Sequence, residues 1–112
     1  MHLTRMTVAV AATMMLTAAM AHAASVDEAA ARALMKESDC FKCHSMTREK
    51  DGPSYKEISK KLKGKPNAEQ ELYKHLTTNP TVKVDGKEEK HKSLDTKDEA
   101  AIKNVVQFIL AQ

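Results

Sequence analysis

The stretch CFKCH occupies residues 40–44 and contains the only two cysteines of this 112-residue chain. Two cysteines separated by two residues and followed at once by a histidine form the pattern of c-type haem attachment. Each thiol adds to one of two neighbouring vinyl groups of the porphyrin, which holds the backbone along the haem edge. The histidine can then swing under the iron. We therefore predict that Cys40 and Cys43 bind one haem c covalently and that His44 binds its iron.

Two other uses of a cysteine pair remain open. A thioredoxin-like dithiol lies in a βαβ context, and the sequence shows no βαβ pattern. A structural zinc site usually has a second closely spaced pair of Cys or His ligands. Beyond the first 24 residues the chain offers only His75 and His91 besides His44, and these two are too far apart in sequence to form such a pair. Both alternatives fit the pattern less well than haem.

The N-terminal segment has the features of a secretory signal. His2 and Arg5 give a positive start, residues 6–20 are apolar, and residues 21–23 match the A-x-A cleavage signature. We predict that residues 1–23 are a cleaved signal peptide and that residues 24–112 form one periplasmic domain. A transmembrane helix needs about 20 apolar residues, so we expect no stable membrane anchor after cleavage, although an uncleaved anchor is the alternative.

Charge and composition narrow the possible partners. The formal net charge is +3 at pH 7, and aromatic residues make up 4% of the chain. This modest charge and the scarcity of aromatics argue against a nucleic-acid partner. The domain is small and has no tryptophan, so its side chains alone supply a thin core, and a buried haem would add apolar surface to it.

Hydrophobic periodicity and capping signals predict a helical domain without strands. Ser25 with Glu28 and Thr96 with Glu99 have capping-box spacing. The stretch between Pro80 and the last helix follows no period, and we expect a loop there that a ligand to the iron would order. The predicted helices, with their caps, cover residues 25–37, 54–63, 67–78 and 96–110, and the last has an apolar stripe of helical period at Ile102, Val105, Val106, Ile109 and Leu110.

This order of elements resembles a class I monohaem cytochrome c of the short bacterial type, over nearly the whole mature chain. The most specific matches are CFKCH, then GPSY at residues 52–55, and the closing run at residues 102–110. The resemblance implies an all-α fold of four to five short helices around one covalently bound haem. It also implies that the Pro53 carbonyl orients the His44 ring, and that Ala33 or Leu34 lies near Phe108.

One departure from that family concerns the second axial ligand. Family members usually supply a methionine from the loop before the last helix. The seven methionines of this chain lie at positions 1, 6, 14, 15, 20, 35 and 46, and none is in that loop. His91 stands five residues before Thr96, about where that methionine would be. We therefore predict that His44 and His91 both bind the iron.

Several rivals for the sixth position stay open. The alternatives are His75 as the sixth ligand, a lysine such as Lys90 or Lys92, or an iron left five-coordinate. The choice matters, because Met/His ligation raises the potential of a c-type haem. With a second histidine in place of methionine, we expect the haem to have a lower reduction potential than in family members with Met/His ligation.

The features together favour a periplasmic single-electron carrier rather than an enzyme, since no nucleophile–base pair, defensible carboxylate pair or phosphate-binding glycine loop is present. Its partner would be a periplasmic redox enzyme or a membrane cytochrome complex, and lysines such as Lys42, Lys56 and Lys92 could steer an acidic partner. The alternatives are a haem-based sensor or ligand-binding protein with a displaceable sixth ligand, and an electron-accepting subunit held by an enzyme. The sequence leaves the donor, the acceptor and the oligomeric state open.

Overall fold

Five helices and one β-hairpin make up the computed structural model over residues 25–112, the part of the chain that it describes. The predicted signal peptide at residues 1–23 lies outside the described residues. No helix within the described part is both long and apolar enough to cross a bilayer. The elements are α1 (Glu28–Glu37), α2 (Cys40–Cys43), α3 (Tyr55–Leu62), α4 (Ala68–Thr77), β1 (Thr81–Val84), β2 (Lys87–Lys90) and α5 (Glu99–Leu110). The predicted small fold of four to five short helices is thereby confirmed.

Two helices begin at a different cap from the one predicted. The carboxylate of Asp27, not Ser25, accepts a hydrogen bond from the first turn of α1. The carboxylate of Asp98, not Thr96, does the same at α5, while the Thr96 hydroxyl accepts from the Asp98 amide at 3.1 Å. Aspartate caps a helix as well as serine or threonine does, so each capping-box pattern contained a second competent cap. The predicted starts of α3 at Ser54 and α4 at Asn67 are confirmed.

Helix α5 is the centre of the core, and α1, α3 and α4 all pack against it. Its predicted apolar stripe is confirmed, with Ile102, Val105, Val106 and Ile109 all buried. Phe108, which is not part of that stripe, is also buried. Burying an aliphatic or aromatic side chain contributes about 1.5–3 kcal/mol, so α5 holds the other helices around one apolar axis.

Helix α1 packs against α5 through one apolar face. Ala31 and Met35 are fully buried, and Leu34, one of the two residues expected there, is partly buried against the core, whereas Ala33 is exposed to solvent. A pair of hydrogen bonds adds to the apolar contact, because Asn104 donates to the carbonyl of Asp27 at 2.8 Å and accepts from its amide at 2.9 Å. The start of α1 is thereby fixed against the middle of α5.

The prediction of a structureless loop after Pro80 is wrong in part. Strands β1 and β2 pair antiparallel, with Thr81 opposite Lys90 and Val84 opposite Lys87. Asp85 and Gly86 connect them with positive φ angles of 50° and 77°, as a two-residue type I′ turn requires. The hairpin shapes the stretch that leads directly into His91.

A buried hydroxyl caps the C-terminal end of α5. Ser59 is fully buried in α3 and donates to the carbonyl of Leu110 at 2.8 Å. That carbonyl belongs to the last turn of α5, where carbonyls lack partners within the helix.

We predict that Ser59→Ala lowers the free energy of unfolding by about 1–3 kcal/mol, because the Leu110 carbonyl loses its partner in a buried place. Denaturant unfolding of the haem-loaded protein measures this. Lys60→Ala changes an exposed neighbour on the same helix and should stay within about 0.5 kcal/mol of wild type. Equal stability of the two variants would show that the Ser59 bond contributes nothing.

Candidate functional site

Three histidine rings, from three different parts of the fold, gather in one place. His44 follows the last residue of α2, His75 lies in α4, and His91 comes directly after β2. The ring centres of His44 and His91 are 6.1 Å apart, and those of His75 and His91 are 4.3 Å apart. The structure therefore brings together the predicted proximal ligand, the predicted sixth ligand and its histidine rival.

The His44 ring is oriented by a backbone carbonyl. Its Nδ1 lies 2.6 Å from the carbonyl oxygen of Pro53. A carbonyl only accepts hydrogen bonds, so this contact assigns the ring proton to Nδ1 and leaves Nε2 with a free lone pair for a metal. This is the contact that the resemblance implies for Pro53.

Gly52 lets the chain pass close beside the His44 ring. A Cβ at this position would lie 2.5 Å from His44 Cε1 and 2.9 Å from Nδ1. The Gly52 amide also donates to the carbonyl of Cys43 at 2.8 Å, which folds the loop back onto the CFKCH segment. In the sequence, Gly52 stands out only as part of GPSY at residues 52–55, and no local pattern there indicates its contact with the His44 ring.

Both cysteines lie on one turn of α2. Cys40 is half-buried, Cys43 is exposed, and both are free thiols. The His44 amide donates to the Cys40 carbonyl at 3.0 Å, which continues the helical turn up to the histidine. Tyr55 is buried beside this turn, with its ring centre 5.2 Å from that of His44. Burial raises the pKa of both Tyr55 and Cys40, so both stay protonated at neutral pH.

The backbone of His91 is held on both sides. Its amide donates to the carbonyl of Pro80 at 2.8 Å, and its carbonyl accepts from the Asn79 side chain at 3.0 Å. These bonds close the base of the hairpin at His91. Burial, followed by the neighbouring His75 and His44, lowers the pKa of His91 to about 4. The imidazole is therefore neutral near pH 7, the form in which histidine binds metals.

The spacing of His44 and His91 suits one iron between them. Metal–imidazole bonds are about 2 Å long, so two such bonds and the two ring radii span about 6 Å. The rings are 6.1 Å apart. Cys40 and Cys43 lie on the turn that leads into His44 and would supply the two thioether bonds, so the residues present fit a covalently bound haem.

The lysines and methionines are engaged elsewhere, and only His75 stays beside His91. The ammonium of Lys90 donates to the Thr81 hydroxyl at 2.9 Å, and that of Lys92 contacts two carboxylates. Met35 is fully buried in the core, and Met46 packs against the same core. His75 lies against the His91 ring.

A polar clamp joins the His91 loop to the segment before Cys40. The Lys92 ammonium lies 2.9 Å from the carboxylate of Asp39 and 3.3 Å from that of Asp95. The buried hydroxyl of Ser38 accepts from the Asp95 amide at 2.9 Å. Hydrogen bonds from Lys92 and then Lys42 lower the pKa of Asp39. The clamp thus connects the segment before Cys40 to the loop that carries His91.

We predict that Gly52→Ala pushes the His44 ring away from the Pro53 carbonyl. Overpacking of this kind costs about 1–3 kcal/mol of stability, and the displaced ring should weaken the bond of His44 to iron. The optical spectrum of the haem-loaded variant should show a five-coordinate or high-spin fraction that wild type lacks.

Gly64→Ala is the matched control. Gly64 has a φ of +88°, and nothing lies within 4 Å of the position where its Cβ would be. Alanine there costs about 1–2 kcal/mol of backbone strain and should leave the haem spectrum unchanged. A Gly52→Ala spectrum identical to that of Gly64→Ala would contradict the steric role of Gly52.

We predict that Asp39→Asn loosens the loop around Leu94 and Asp95, because Lys92 loses its partner across the site. Asn tolerates the left-handed backbone of Asp39, whose φ is 61°, so the change removes charge without adding strain. Amide hydrogen exchange at residues 92–95 should become faster, while exchange in α5 stays unchanged. Asp51→Asn, which changes an exposed carboxylate elsewhere, is the control. Unchanged exchange at residues 92–95 in Asp39→Asn would exclude a role for the Lys92–Asp39 ion pair.

Comparisons with known proteins indicate one family. A family model described as cytochrome c matches residues 28–112. The crystal structure of the class 1 cytochrome MtoD from Sideroxydans lithotrophicus ES-1 is similar, with 47% sequence identity and a TM-score of 0.74. The match covers 78% of this chain and 97% of that chain. A search of curated proteins finds no match.

Proposed function

Because this chain belongs to the cytochrome c family, we propose that it is a periplasmic single-electron carrier whose one haem iron is bound by His44 and His91. Its cofactor is haem c, the covalently bound iron porphyrin of this family. In our proposal, Cys40 and Cys43 form the two thioether bonds and Pro53 orients His44. Bound haem supplies an iron that changes its charge by one electron, and the protein residues set its ligands and its access to partners.

The spacing of the two histidines carries this proposal. A ring separation of 6.1 Å fits an iron bound from both sides. The backbone bonds of His91 to Pro80 and Asn79 support it further, because they hold this residue in place opposite His44. An iron with two protein ligands has no open position for a substrate, which favours electron transfer over enzymatic chemistry.

The ligand pair also sets the expected potential. Methionine as the second ligand raises the potential of a c-type haem, and the protein sets the potential further through burial and hydrogen bonding. In our proposal the second ligand is His91, and the His44–Pro53 hydrogen bond increases the basicity of the first. Both features favour the oxidised iron, so the protein should be a weaker oxidant than carriers with Met/His ligation.

Electron exchange would take place near the attachment cysteines. Cys43 is exposed, so a porphyrin edge bound there lies close to solvent and to a docking partner. Of the three lysines considered for steering, Lys92 belongs to the clamp and Lys42 pairs with Asp39 at 3.2 Å. Lys56 is exposed and forms no ion pair within residues 25–112. Lys56 is thus the best placed of the three to attract an acidic redox enzyme or membrane cytochrome complex.

We predict that the wild-type haem protein is low-spin when oxidised and when reduced, and does not readily bind carbon monoxide. His91→Ala should turn it high-spin and reactive toward carbon monoxide, because one axial ligand is lost. Optical spectra of both proteins, with and without carbon monoxide, measure this.

Two outcomes would contradict the proposal. A wild-type protein that binds carbon monoxide readily would favour a ligand-binding or sensor function. A His91→Ala spectrum identical to that of wild type would show that another residue binds the iron. Lys90→Ala is the matched control from the same segment and should keep the wild-type spectrum.

A further inference from the structure

The two histidines proposed as iron ligands differ in the hydrogen bonding of the ring nitrogen that does not bind iron. A metal-binding histidine almost always donates its other ring N–H to a carbonyl, a carboxylate or water. His44 follows this rule through the Pro53 carbonyl at 2.6 Å. The Nδ1 of His91 is buried and has no hydrogen-bond partner among the described residues. His91 therefore lacks the contact that strengthens His44.

His75 is the side chain that lies against His91. The two ring centres are 4.3 Å apart, and the ring planes meet at 56°. An in-line N–H···N bond between two imidazoles would hold their centres about 5 Å apart. The shorter spacing is a packing contact, in which the His75 ring covers the His91 ring.

The backbone fixes this contact from both sides. His75 lies in α4, and the carbonyl of the next residue, Leu76, accepts from the Leu94 amide at 3.0 Å. The same loop is held at His91 by Pro80. Because both segments are tied to each other, the backbone positions that carry the two rings are held next to each other.

We propose that His75 is a positioning residue for the sixth ligand, an inference that rests on the proposed ligation by His44 and His91. The ring of His75 sets the rotation of the His91 imidazole and keeps water away from its Nδ1. The His91 ring is then oriented toward the iron, but its Nδ1 has no hydrogen-bond partner among the described residues. His91 is therefore the weaker of the two iron ligands and the one that a small molecule would displace.

The test compares His75→Ala with His75→Phe in the full haem-loaded protein. Phe keeps a flat ring of similar size and removes both nitrogens. The first readout is the set of low-spin ferric EPR g-values, which respond to the angle between the two imidazole planes, 50° in this structure. The second is the rate at which carbon monoxide replaces His91 on the reduced iron.

We expect His75→Ala to shift the g-values and to speed carbon monoxide binding by about tenfold or more, the usual scale for residues that support a metal ligand. His75→Phe should remain close to wild type in both readouts. His75→Leu, an apolar helix former without a flat ring, replaces the alanine variant if that variant fails to load haem. Its g-values should also shift.

The possible negative results show which of the two proposals is wrong, the positioning role of His75 or the proposed function. A low-spin His75→Ala with wild-type g-values and carbon monoxide rate overturns the positioning role and leaves the His44/His91 ligation intact. If His75→Phe changes the g-values and the carbon monoxide rate as much as His75→Ala does, a His75 nitrogen is required, which overturns the packing role. A high-spin His75→Phe beside a low-spin His91→Ala makes His75 the ligand and overturns both proposals.

Discussion

The hydrogen bond from His44 Nδ1 to the Pro53 carbonyl is the contact around which the site is arranged. At 2.6 Å it fixes both the proton position and the rotation of the ring. It exists only because Gly52 has no side chain where the ring passes. The loop from Cys43 to Ser54 must therefore fold back on the CFKCH segment, which places α3 and the buried Tyr55 beside the attachment turn. One short backbone contact thus links the covalent chemistry of the motif to the helical core.

The opposite side of the site is built from a different kind of contact. His91 does not lie in a helix. It directly follows a β-hairpin whose base is closed by hydrogen bonds of His91 with Asn79 and Pro80. The Lys92 clamp and the Ser38 hydroxyl tie the following residues to the segment before Cys40. Exposed ion pairs contribute little alone, so the buried Ser38 bond is the stronger part of this connection. The site is therefore held rigidly on both faces of the space between the two rings.

Local patterns predicted most of this fold, and long-range contacts account for what they missed. The apolar stripe of α5 and the CFKCH spacing are properties of neighbouring residues, so the sequence alone indicated them. The hairpin was missed because β2 consists entirely of charged residues without alternation, although Asp85-Gly86 is a strong turn pair. The Asn104–Asp27 bonds, the approach of Gly52 to His44 and the His75–His91 contact join residues distant in sequence, and no periodicity shows them. The position of His91 was predicted from its place in the loop, and its ligand role stays a proposal.

The central claim is that two histidines hold one iron in an electron carrier. A crystal structure of the oxidised, haem-loaded protein tests it most directly. Our account predicts that Nε2 of His44 and Nε2 of His91 each lie about 2 Å from the iron, with thioether bonds at Cys40 and Cys43. An iron bound on its distal side by His75, by a lysine, by water or by no ligand would contradict it.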